Sequence, residues 1–547
     1  MLFSLILASF INFVSPVNYE ISLAGNFGEP RPNHFHGGID VKTGGVEGKT
    51  IRSIGDGYVT RVTVGLYGYG NAVFIHHPQG YVSVYCHLKA FNPQIAALVR
   101  KRQYERQSYR IDETFKPYEC PVAAGQLIAV SGNTGASQAP HLHLEIHNAR
   151  TGNMMDPLDF LGKYVKDALR PMAHGFMVYP QYGEGVFCGG AAKQSFGFAS
   201  DNLTRKFTAW GKVGFGLWAN DYMEITYNRY GIRKTTLTVD GKVVYQSDVN
   251  NIPSAYNRMV NCWGDYEHFR RYGVWYMKSF RDPGNLLPII KVDANNGFVI
   301  FDKEKTYHFV YTVTDFAGNK RDYRFSVEGR KQQLPKKREP NLPRLMRWNR
   351  ANCFQMPSVQ LTMPQNLLGD DLELRPRRMR QPNRLSDAFA FYDSSMPLFS
   401  WASLSIRCNR KVADPSKLYI AGKAGATRFY GGRYQNGWVT GRIRELGAIY
   451  EIAYDDKAPT ITPIGQGAWN STHTLRVGIQ DSGSGIRECR GYVDGKFVLF
   501  EEVPKSPWMK CDLRSTAIKK SGGIHDFKFV AIDNRGNKKE FVSKIKY

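Results

Sequence analysis

Histidine is concentrated near the N-terminal end of the chain, and its spacing there suits metal chemistry. Of the 13 histidines in 547 residues, eight precede residue 148. His36 and Asp40 lie four residues apart with two glycines between them, so both side chains can face one centre from a loop that enters a strand. Imidazole and carboxylate groups are typical of catalytic zinc sites, which use three protein ligands and keep one position open.

A second motif, HLHLE at residues 141–145, offers more ligands of the same kind. On a strand, alternate residues share a face, so His141, His143 and Glu145 point one way while the leucines enter the core. Glu145 could orient a histidine as a hydrogen-bond acceptor, or it could be a solvated strand end; the residues leave both open. Because no HExxH motif is present, we expect a histidine rather than a glutamate to act as the base.

Short apolar segments broken by Gly, Asn and Pro predict the strands that position these residues. The predicted strands are 57–64, 72–77, 81–87, 127–131 and 141–147. Pro78-Gln79-Gly80 predicts a hairpin turn between two of them. Asn92-Pro93 predicts the start of a helix, and a basic run follows it, which indicates a helical surface insertion at about 91–118.

These residues also carry a resemblance to a known family. HFHGGIDV (34–41), SVYCHL (83–88) and SGNTGASQAPHLHLEI (131–146) resemble, in the same order, the motifs of the lysostaphin-type (LytM-like) zinc metallopeptidases, the peptidoglycan endopeptidase family. The resemblance covers residues 20–163, just over a quarter of the chain. It implies an antiparallel β-sheet metallopeptidase domain of the duplicated-hybrid-motif type that holds one Zn²⁺.

Position by position, the resemblance implies particular roles for five residues. The family's zinc ligands fall on His36, Asp40 and His143, and its two catalytic histidines fall on His87 and His141. None of the five is substituted. The insertion at 91–118 is longer than in minimal members, which leaves the range of substrates open.

The remainder of the chain contains an internal repeat and no further catalytic motif. GIRKTTLTVDGKV (231–243) matches GIRECRGYVDGKFV (485–498), and DFAGNK (315–320) matches DNRGNK (533–538). Asp-Gly pairs favour hairpin turns, and two copies predict two related β-sandwich modules. Aspartates beside turn glycines could bind calcium or simply form Asx-turns.

The chain is therefore predicted to be mainly β, with a metallopeptidase domain followed by two to three β-sandwich modules. The predicted parts are an apolar segment or signal peptide at 1–16, the peptidase domain at 17–166, a β-sandwich at 170–330, a basic linker plus β-rich module at 331–456, and an Ig-like β-sandwich at 457–547.

Composition restricts the partners and the compartment. With 73 Lys+Arg against 48 Asp+Glu, the net charge of +25 favours an anionic partner such as an envelope polymer, although an excess of Lys can also serve only solubility. No nucleic-acid-binding motif is present, so nucleic acid is not expected. No internal run reaches the ~18 apolar residues of a spanning helix, which excludes a multi-pass membrane protein.

The cysteines and the N-terminal segment bear on export. The absence of any CxxC pair among the eight cysteines excludes a zinc ribbon, and no disulfide pairing can be deduced. Residues 1–14 have the length of a signal-peptide apolar region but lack its basic start. We expect an exported protein of the periplasm, the outer envelope or the medium.

Three functions remain open. The first is a zinc endopeptidase that cleaves stem or cross-link peptides of bacterial peptidoglycan, with the other modules positioning it. The second is a catalytically silent regulator or binding protein of the envelope, since a fold does not guarantee an activity. The third is a protease of glycine-rich proteins. The complete set of five residues favours an enzyme.

Overall fold

The structure is a computed structural model that describes residues 12–547. Most of the apolar segment predicted as a signal peptide lies outside the described residues. Phe13, at its end, is buried in the core of the first unit, and the Val14 amide donates to the Ile54 carbonyl at 2.8 Å. The strands form four units along the chain.

The first unit, to about residue 166, contains an antiparallel sheet of nine strands. Its elements are β1 Leu23–Gly25, β2 Pro30–Arg31, β3 His34–Phe35, β4 Ile39–Lys42, β5 Thr50–Arg52, β6 Gly57–Leu66, β7 Gly70–His77, β8 Tyr81–Cys86, β9 Ala90–Phe91, α1 Pro93–Arg106, β10 Ile111–Thr114, β11 Pro121–Val122, β12 Leu127–Val130, β13 His141–Asn148, β14 Met154–Met155 and α2 Leu158–Leu161. The main strand order is β1-β4-β13-β8-β7-β6-β10, so β4, β13 and β8 are neighbours.

The local signals in the sequence account for these elements. All five predicted strands are present, and Gly80 has the positive φ of 84° that its hairpin turn requires. Helix α1 begins where predicted, because the Asn92 side chain accepts a hydrogen bond from the Ile95 amide at 2.8 Å. Ile95 and Val99 bury one face of this helix in the core of the unit.

The second unit contains eleven strands that are joined in one hydrogen-bonded ladder. Its elements are β15 Met172–Phe187, β16 Gln194–Gly197, β17 Phe207–Met223, β18 Thr226–Tyr230, β19 Lys234–Val239, β20 Lys242–Asp248, α3 Val260–Trp263, α4 Tyr266–Tyr272, β21 Met277–Lys278, β22 Ile290–Val292, β23 Val299–Phe301, β24 Thr306–Thr314 and β25 Lys320–Gly329. The ladder is continuous because the 17-residue strand β17 pairs with five other strands. Its strands contribute to one aromatic core.

The third and fourth units each pair two sheets around a shared core. The third contains β26 Leu345–Met346, β27 Asn352–Met356, β28 Val359–Met363, β29 Leu372–Glu373, β30 Arg377–Met379, β31 Ala388–Ala390, β32 Pro397–Arg407, β33 Leu418–Ala424, β34 Ala426–Phe429, β35 Arg433–Gln435, β36 Trp438–Glu445 and β37 Ile449–Tyr454. The fourth contains β38 Thr460–Pro463, α5 Trp469–Thr472, β39 Thr474–Gln480, β40 Ile486–Val493, β41 Lys496–Val498, β42 Glu501–Glu502, β43 Trp508–Asp512, β44 Ile524–Asp533 and β45 Lys538–Lys546.

The repeat corresponds to equivalent hairpins in the second and fourth units. Asp240 and Asp494 occupy the first position of a two-residue turn with φ of 49° and 48°, and each is followed by a glycine that also has positive φ. The turn that joins β24 to β25 and the turn that joins β44 to β45 contain the second matching segment. The Asp-Gly pairs therefore form the hairpin turns that the sequence predicts.

The second unit packs directly on the strands that lead to the histidines of the first. Phe35 is fully buried in the aromatic core of the second unit, 5.8 Å from the ring of Trp263. The Phe35 amide donates to the Asn257 side chain at 2.6 Å. Asn26 exchanges two hydrogen bonds with the backbone of Gly231, at 2.8 and 2.9 Å. The two units thus share a core instead of being joined only by a linker.

The fourth unit packs on the helical insertion of the first. Arg110 on the insertion pairs with Glu502 at 2.5 Å, and the ring of Tyr104 contacts that of Phe497 edge-on. Lys505 reaches further and donates to the carbonyls of Gly135 and Ser137 at 2.8 and 2.6 Å. The insertion at 91–118 is therefore an interface with another unit, not a free surface.

Two further observations concern the chain as a whole. Among residues 12–547, none of the helices combines the length and the hydropathy needed to cross a bilayer. All eight cysteines lie in the part of the chain that the structure describes, and each is a free thiol there.

We expect Phe35→Ala to destabilise the protein by about 3–5 kcal/mol, because it leaves a cavity where a fully buried ring joins two units. Urea unfolding of the full chain measures the change. Tyr227→Ala, which removes a fully exposed ring from the second unit, is the matched control and should stay within about 0.5 kcal/mol of the parent protein. Equal stability of the two variants would contradict the shared core.

Candidate metal centre and catalytic cleft

Three electron-rich atoms meet where β4 and β13 pair. His36 Nε2 lies 3.0 Å from Asp40 Oδ1 and 2.9 Å from His143 Nδ1, and His143 Nδ1 lies 2.8 Å from Asp40 Oδ1. Asp40 and His143 are directly opposite each other in the β4–β13 ladder, and all three residues are buried. The structure thus brings together the three residues that the resemblance implies as ligands.

Two glycines make this convergence possible. A Cβ on Gly38 would lie 2.1 Å from the Leu144 carbonyl oxygen, and one on Gly37 would lie 2.6 Å from Glu145 Oε1. Any other residue would push the loop away from β13. The pair of glycines between His36 and Asp40 is therefore required by the close approach of the two segments.

The second nitrogen of each ligand histidine has its own acceptor. His36 Nδ1 donates to the Asn26 carbonyl at 2.6 Å, and His143 Nε2 donates to Glu145 Oε1 at 2.9 Å, tautomers assigned from these partners. The remaining nitrogens, His36 Nε2 and His143 Nδ1, then both present lone pairs to the space beside Asp40. Two lone pairs and a carboxylate oxygen repel each other unless a cation lies between them.

The electrostatics of the centre favour a positive charge. Burial lowers the pKa of His143, but the hydrogen bonds to Asp40 and Glu145 outweigh it and raise that pKa to about 9. Burial raises the pKa of Asp40, but the neighbouring histidines hold it well below its usual range. In a tetrahedral zinc site with bonds of about 2.0–2.1 Å, ligand atoms lie about 3.3 Å apart, close to the spacing here. The donor set fits Zn²⁺, which would displace the proton.

Glu145 is a buried hydrogen-bond acceptor that orients the ligand His143. It is therefore not the solvated strand end that the sequence also allowed. It is 3% exposed and accepts hydrogen bonds from His143, from His147 Nε2 at 2.6 Å and from the Tyr69 hydroxyl at 2.8 Å. Burial raises the pKa of Glu145, yet the bonds to His143 and His147 lower it well below the usual range. A permanently ionised Glu145 fixes the His143 ring and leaves Nδ1 free for a metal.

His87 and His141 lie side by side next to the centre, with ring centroids 4.8 Å apart. His87 Nδ1 donates to the Thr134 carbonyl and His141 Nδ1 to the Ala139 carbonyl, both at 2.8 Å. Each ring is thereby left with an unprotonated Nε2, and His141 Nε2 lies 3.3 Å from Asp40 Oδ1. Burial and the neighbouring histidines lower the pKa of His87 to about 3. This arrangement places a proton-transfer group, His141, beside a neutral hydrogen-bond acceptor, His87.

His87 adopts a left-handed backbone conformation, with φ of 60°. This conformation is unfavourable for a residue with a Cβ and is held by surrounding contacts. The His87 amide donates to the Tyr69 carbonyl at 2.9 Å, and its ring is tied to Thr134. The strained turn directs the ring from the end of β8 toward β13.

The centre opens into a cleft of about 810 Å³. Tyr69 contributes to its wall, whereas the neighbouring Tyr67 is 90% exposed and faces a groove next to the fourth unit. The segment 136–140, on the other wall, is the one that Lys505 contacts.

Several contacts of the site escape sequence reasoning. The carbonyl of Asn26 and the side chain of Arg31, which donates to Asp40 Oδ2 at 3.0 Å, belong to a loop with no recognisable motif. His147 has a signal, since it continues the alternation of β13 by one step beyond Glu145.

Comparison with known proteins agrees with this geometry. The family model of Peptidase family M23 matches residues 34–104, which include His36, Asp40 and His87, while β13 lies beyond the matched segment. The chain contains an M23 peptidase domain. A second family model, that of the Zu5-like domain, matches residues 343–455, which correspond to the third unit.

Two curated relatives match about a fifth to a quarter of the chain. The chain is 33% identical over 112 residues to the DD-carboxypeptidase/endopeptidase Mpg of Neisseria meningitidis, and the matched segment makes up 20% of each protein. It is 34% identical over 124 residues to the murein hydrolase activator NlpD of Escherichia coli, which is 23% of this chain and 25% of that one. The chain therefore spans about a fifth to a quarter of the length of these relatives.

Among solved structures, the catalytic domain of lysostaphin from Staphylococcus simulans is similar to part of this chain. The match has a TM-score of 0.20 and 25% sequence identity, and it covers 26% of this chain and 93% of that domain.

We expect Glu145→Gln to weaken zinc binding by about 10–100-fold, because a neutral amide no longer holds His143 in the tautomer that frees Nδ1. Competition with a zinc-chelating dye measures the affinity. Glu105→Gln, which neutralises an exposed carboxylate on α1, should leave it unchanged. Equal affinity of the two variants would show that Glu145 does not position the ligand.

Proposed function

We propose that the M23 domain is an active zinc endopeptidase and that the protein is exported and hydrolyses peptide bonds in peptidoglycan. The observation that carries this proposal is the convergence of His36, Asp40, His143, His87 and His141 on one cleft. Each of the four histidines has one nitrogen tied to a carbonyl or carboxylate and the other directed into the site.

In this proposal His36, Asp40 and His143 hold one Zn²⁺. When bound, the ion supplies a Lewis acid that activates water and polarises the scissile carbonyl. Arg31 and Glu145 orient two of the ligands from outside, through Asp40 Oδ2 and His143 Nε2. Asn26 orients the third through its backbone carbonyl.

His141 performs the proton transfer and His87 positions the water. With Nδ1–H fixed on a backbone carbonyl, His141 accepts a proton from the attacking water at Nε2 and, as an imidazolium, stabilises the oxyanion of the substrate and then donates the proton to the leaving amine. Burial and the neighbouring histidines lower the pKa of His87 to about 3, so this ring stays neutral and accepts a hydrogen bond from the water at Nε2. The ring centroids of the two histidines are 4.8 Å apart, so both rings reach the same water.

The proposed substrate is a stem or cross-link peptide of the bacterial cell wall. Two relatives carry names that refer to wall chemistry, an endopeptidase and a murein hydrolase activator. Gly44, Gly45 and Gly68 lie along the cleft with open space where a Cβ would be, so an extended peptide backbone can approach closely. The net charge of +25 would hold the protein near anionic envelope polymers.

A second candidate is a silent regulator of other wall hydrolases, which the name of NlpD supports. The presence of both His87 and His141 argues for catalysis, because binding alone does not need them. A protease of glycine-rich proteins uses the same chemistry and differs only in substrate.

Digestion of purified peptidoglycan, analysed by mass spectrometry, distinguishes these functions. We expect the full chain to release new peptide ends and a chelator to abolish this cleavage. His141→Ala should lower the rate of cleavage by about 10²-fold or more, because a proton-transfer group is lost. His76→Ala, which removes a histidine stacked on Tyr58 outside the cleft, is the matched control and should keep full activity.

Measuring the bound zinc of each variant shows whether it has lost the metal or only the proton-transfer group. His141→Ala should retain stoichiometric zinc, whereas His36→Ala should lose it, because two ligands do not complete a zinc site. Retained zinc in the His36→Ala protein would refute the ligand assignment. A wild type that binds zinc but cleaves neither peptidoglycan nor glycine-rich protein would favour the regulator.

A further inference from the structure

Three aspartates from separate elements meet at the joint between the M23 domain and the second unit. Asp167 lies in the segment that connects the two, Asp221 near the end of β17, and Asp315 just after β24. One carboxylate oxygen of each lies within 4.8 Å of those of the other two. No part of the proposed hydrolysis uses this cluster.

Asp221 is the unusual member of the cluster. It is 1% exposed, and neither of its carboxylate oxygens has a hydrogen-bond partner among the described residues. One oxygen of Asp167 is likewise buried without a partner. Buried carboxylates in folded proteins are normally paired, hydrogen-bonded or bound to metal, so these oxygens lack the group that would satisfy them.

No basic side chain neutralises the cluster. Within residues 12–547, none of the three aspartates forms an ion pair with Lys or Arg. Burial, and then the negative charges of Asp167 and Asp315, raise the pKa of Asp221 to about 8. Burial and the charge of Asp315 raise the pKa of Asp167 to about 7.

The repeat contains an internal comparison. The fourth unit has an equivalent cluster of Asp455, Asp481 and Asp533, whose oxygens also lie within 4.8 Å of one another. There Asp455 Oδ2 accepts a hydrogen bond from the Ser484 amide at 2.7 Å, and Asp481 Oδ2 accepts one from the Gly485 amide at 2.6 Å. The carboxylates of the fourth unit therefore have hydrogen-bond partners, whereas Asp221 in the second unit has none among the described residues.

The chemistry of the ligands selects the ion. Three carboxylates without nitrogen or sulfur suit a hard cation and disfavour zinc. Ca²⁺ accepts six to eight oxygens at about 2.3–2.6 Å in flexible geometry, whereas Mg²⁺ demands a near-ideal octahedron. Ligands from a linker, a strand and a turn fit the more adaptable ion.

We propose that Asp167, Asp221 and Asp315 bind one Ca²⁺, which fixes the M23 domain to the second unit. Residues beside the cluster already cross this joint. Met223, two residues after Asp221, is buried in the core of the M23 domain. Phe316, next to Asp315, packs against the same core. An ion at the cluster therefore stabilises the contact through which the second unit supports the peptidase.

Calcium binding to the full chain tests the proposal. The protein is dialysed against a chelator, reloaded with zinc, and equilibrated with millimolar calcium, after which bound calcium is counted. We expect Asp221→Asn to bind one calcium ion fewer than wild type. Asp302→Asn, which neutralises an exposed carboxylate of the same unit, should bind as many as wild type.

Thermal unfolding and proteolysis show that a loss of calcium is not a loss of fold. Without calcium, Asp221→Asn should unfold at or above the wild-type temperature, because it removes a buried carboxyl group that has no partner. Calcium should raise the wild-type unfolding temperature and slow tryptic cleavage at the exposed Lys166, and it should do neither in Asp221→Asn.

Three results would overturn the proposal. These are no calcium on the wild type at millimolar concentration, an equal number of calcium ions on wild type and Asp221→Asn, and magnesium that displaces calcium while giving the same protection. Because none of these measurements uses peptidoglycan cleavage, failure of the calcium site and failure of the proposed hydrolysis are distinguishable.

Discussion

The mutual repulsion of three electron-rich atoms held within 3.0 Å is the constraint on which the rest of the site depends. Such a cluster persists in a folded protein only if its surroundings fix each group and a cation balances the charge. Hydrogen bonds to Asn26, Arg31 and Glu145 fix the groups, and the close contact of two glycines with β13 sets the distance. The order of β4, β13 and β8 then brings the two remaining histidines to the same edge.

Much of the M23 domain could be predicted because its signals are local. Alternation along residues 141–147 places His141, His143 and Glu145 on one face, and the Asn92 cap starts the helix where the sequence indicates. The role of Glu145 remained open because burial depends on neighbours: Tyr69 comes from another strand, 76 residues away. The contacts of Asn26 and Arg31 leave no recognisable pattern in the sequence. Asn26 contributes a backbone carbonyl, which any residue could supply, and the Arg31 side chain comes from a loop without a motif.

The relation between the units was the least predictable feature. A repeat and a basic insertion indicate modules, but not that Phe35, next to a ligand histidine, fills the core of the second unit. Likewise, the 17-residue strand β17 pairs with five other strands, a connection that the repeat does not indicate. Such contacts depend on how surfaces from distant parts of the sequence fit together. Local preferences for helix, strand or turn carry no information about that fit. The second unit is therefore part of the support of the metal centre.

The contact between Lys505 and the segment at Gly135 joins residues 370 positions apart. A ribosome adds about 5–20 residues per second, so the cleft wall emerges roughly 20–70 s before the lysine that holds it. The interval is long compared with the folding time of a small domain, which is seconds at most. The order of synthesis therefore separates the emergence of the strands that carry the metal ligands from completion of the cleft.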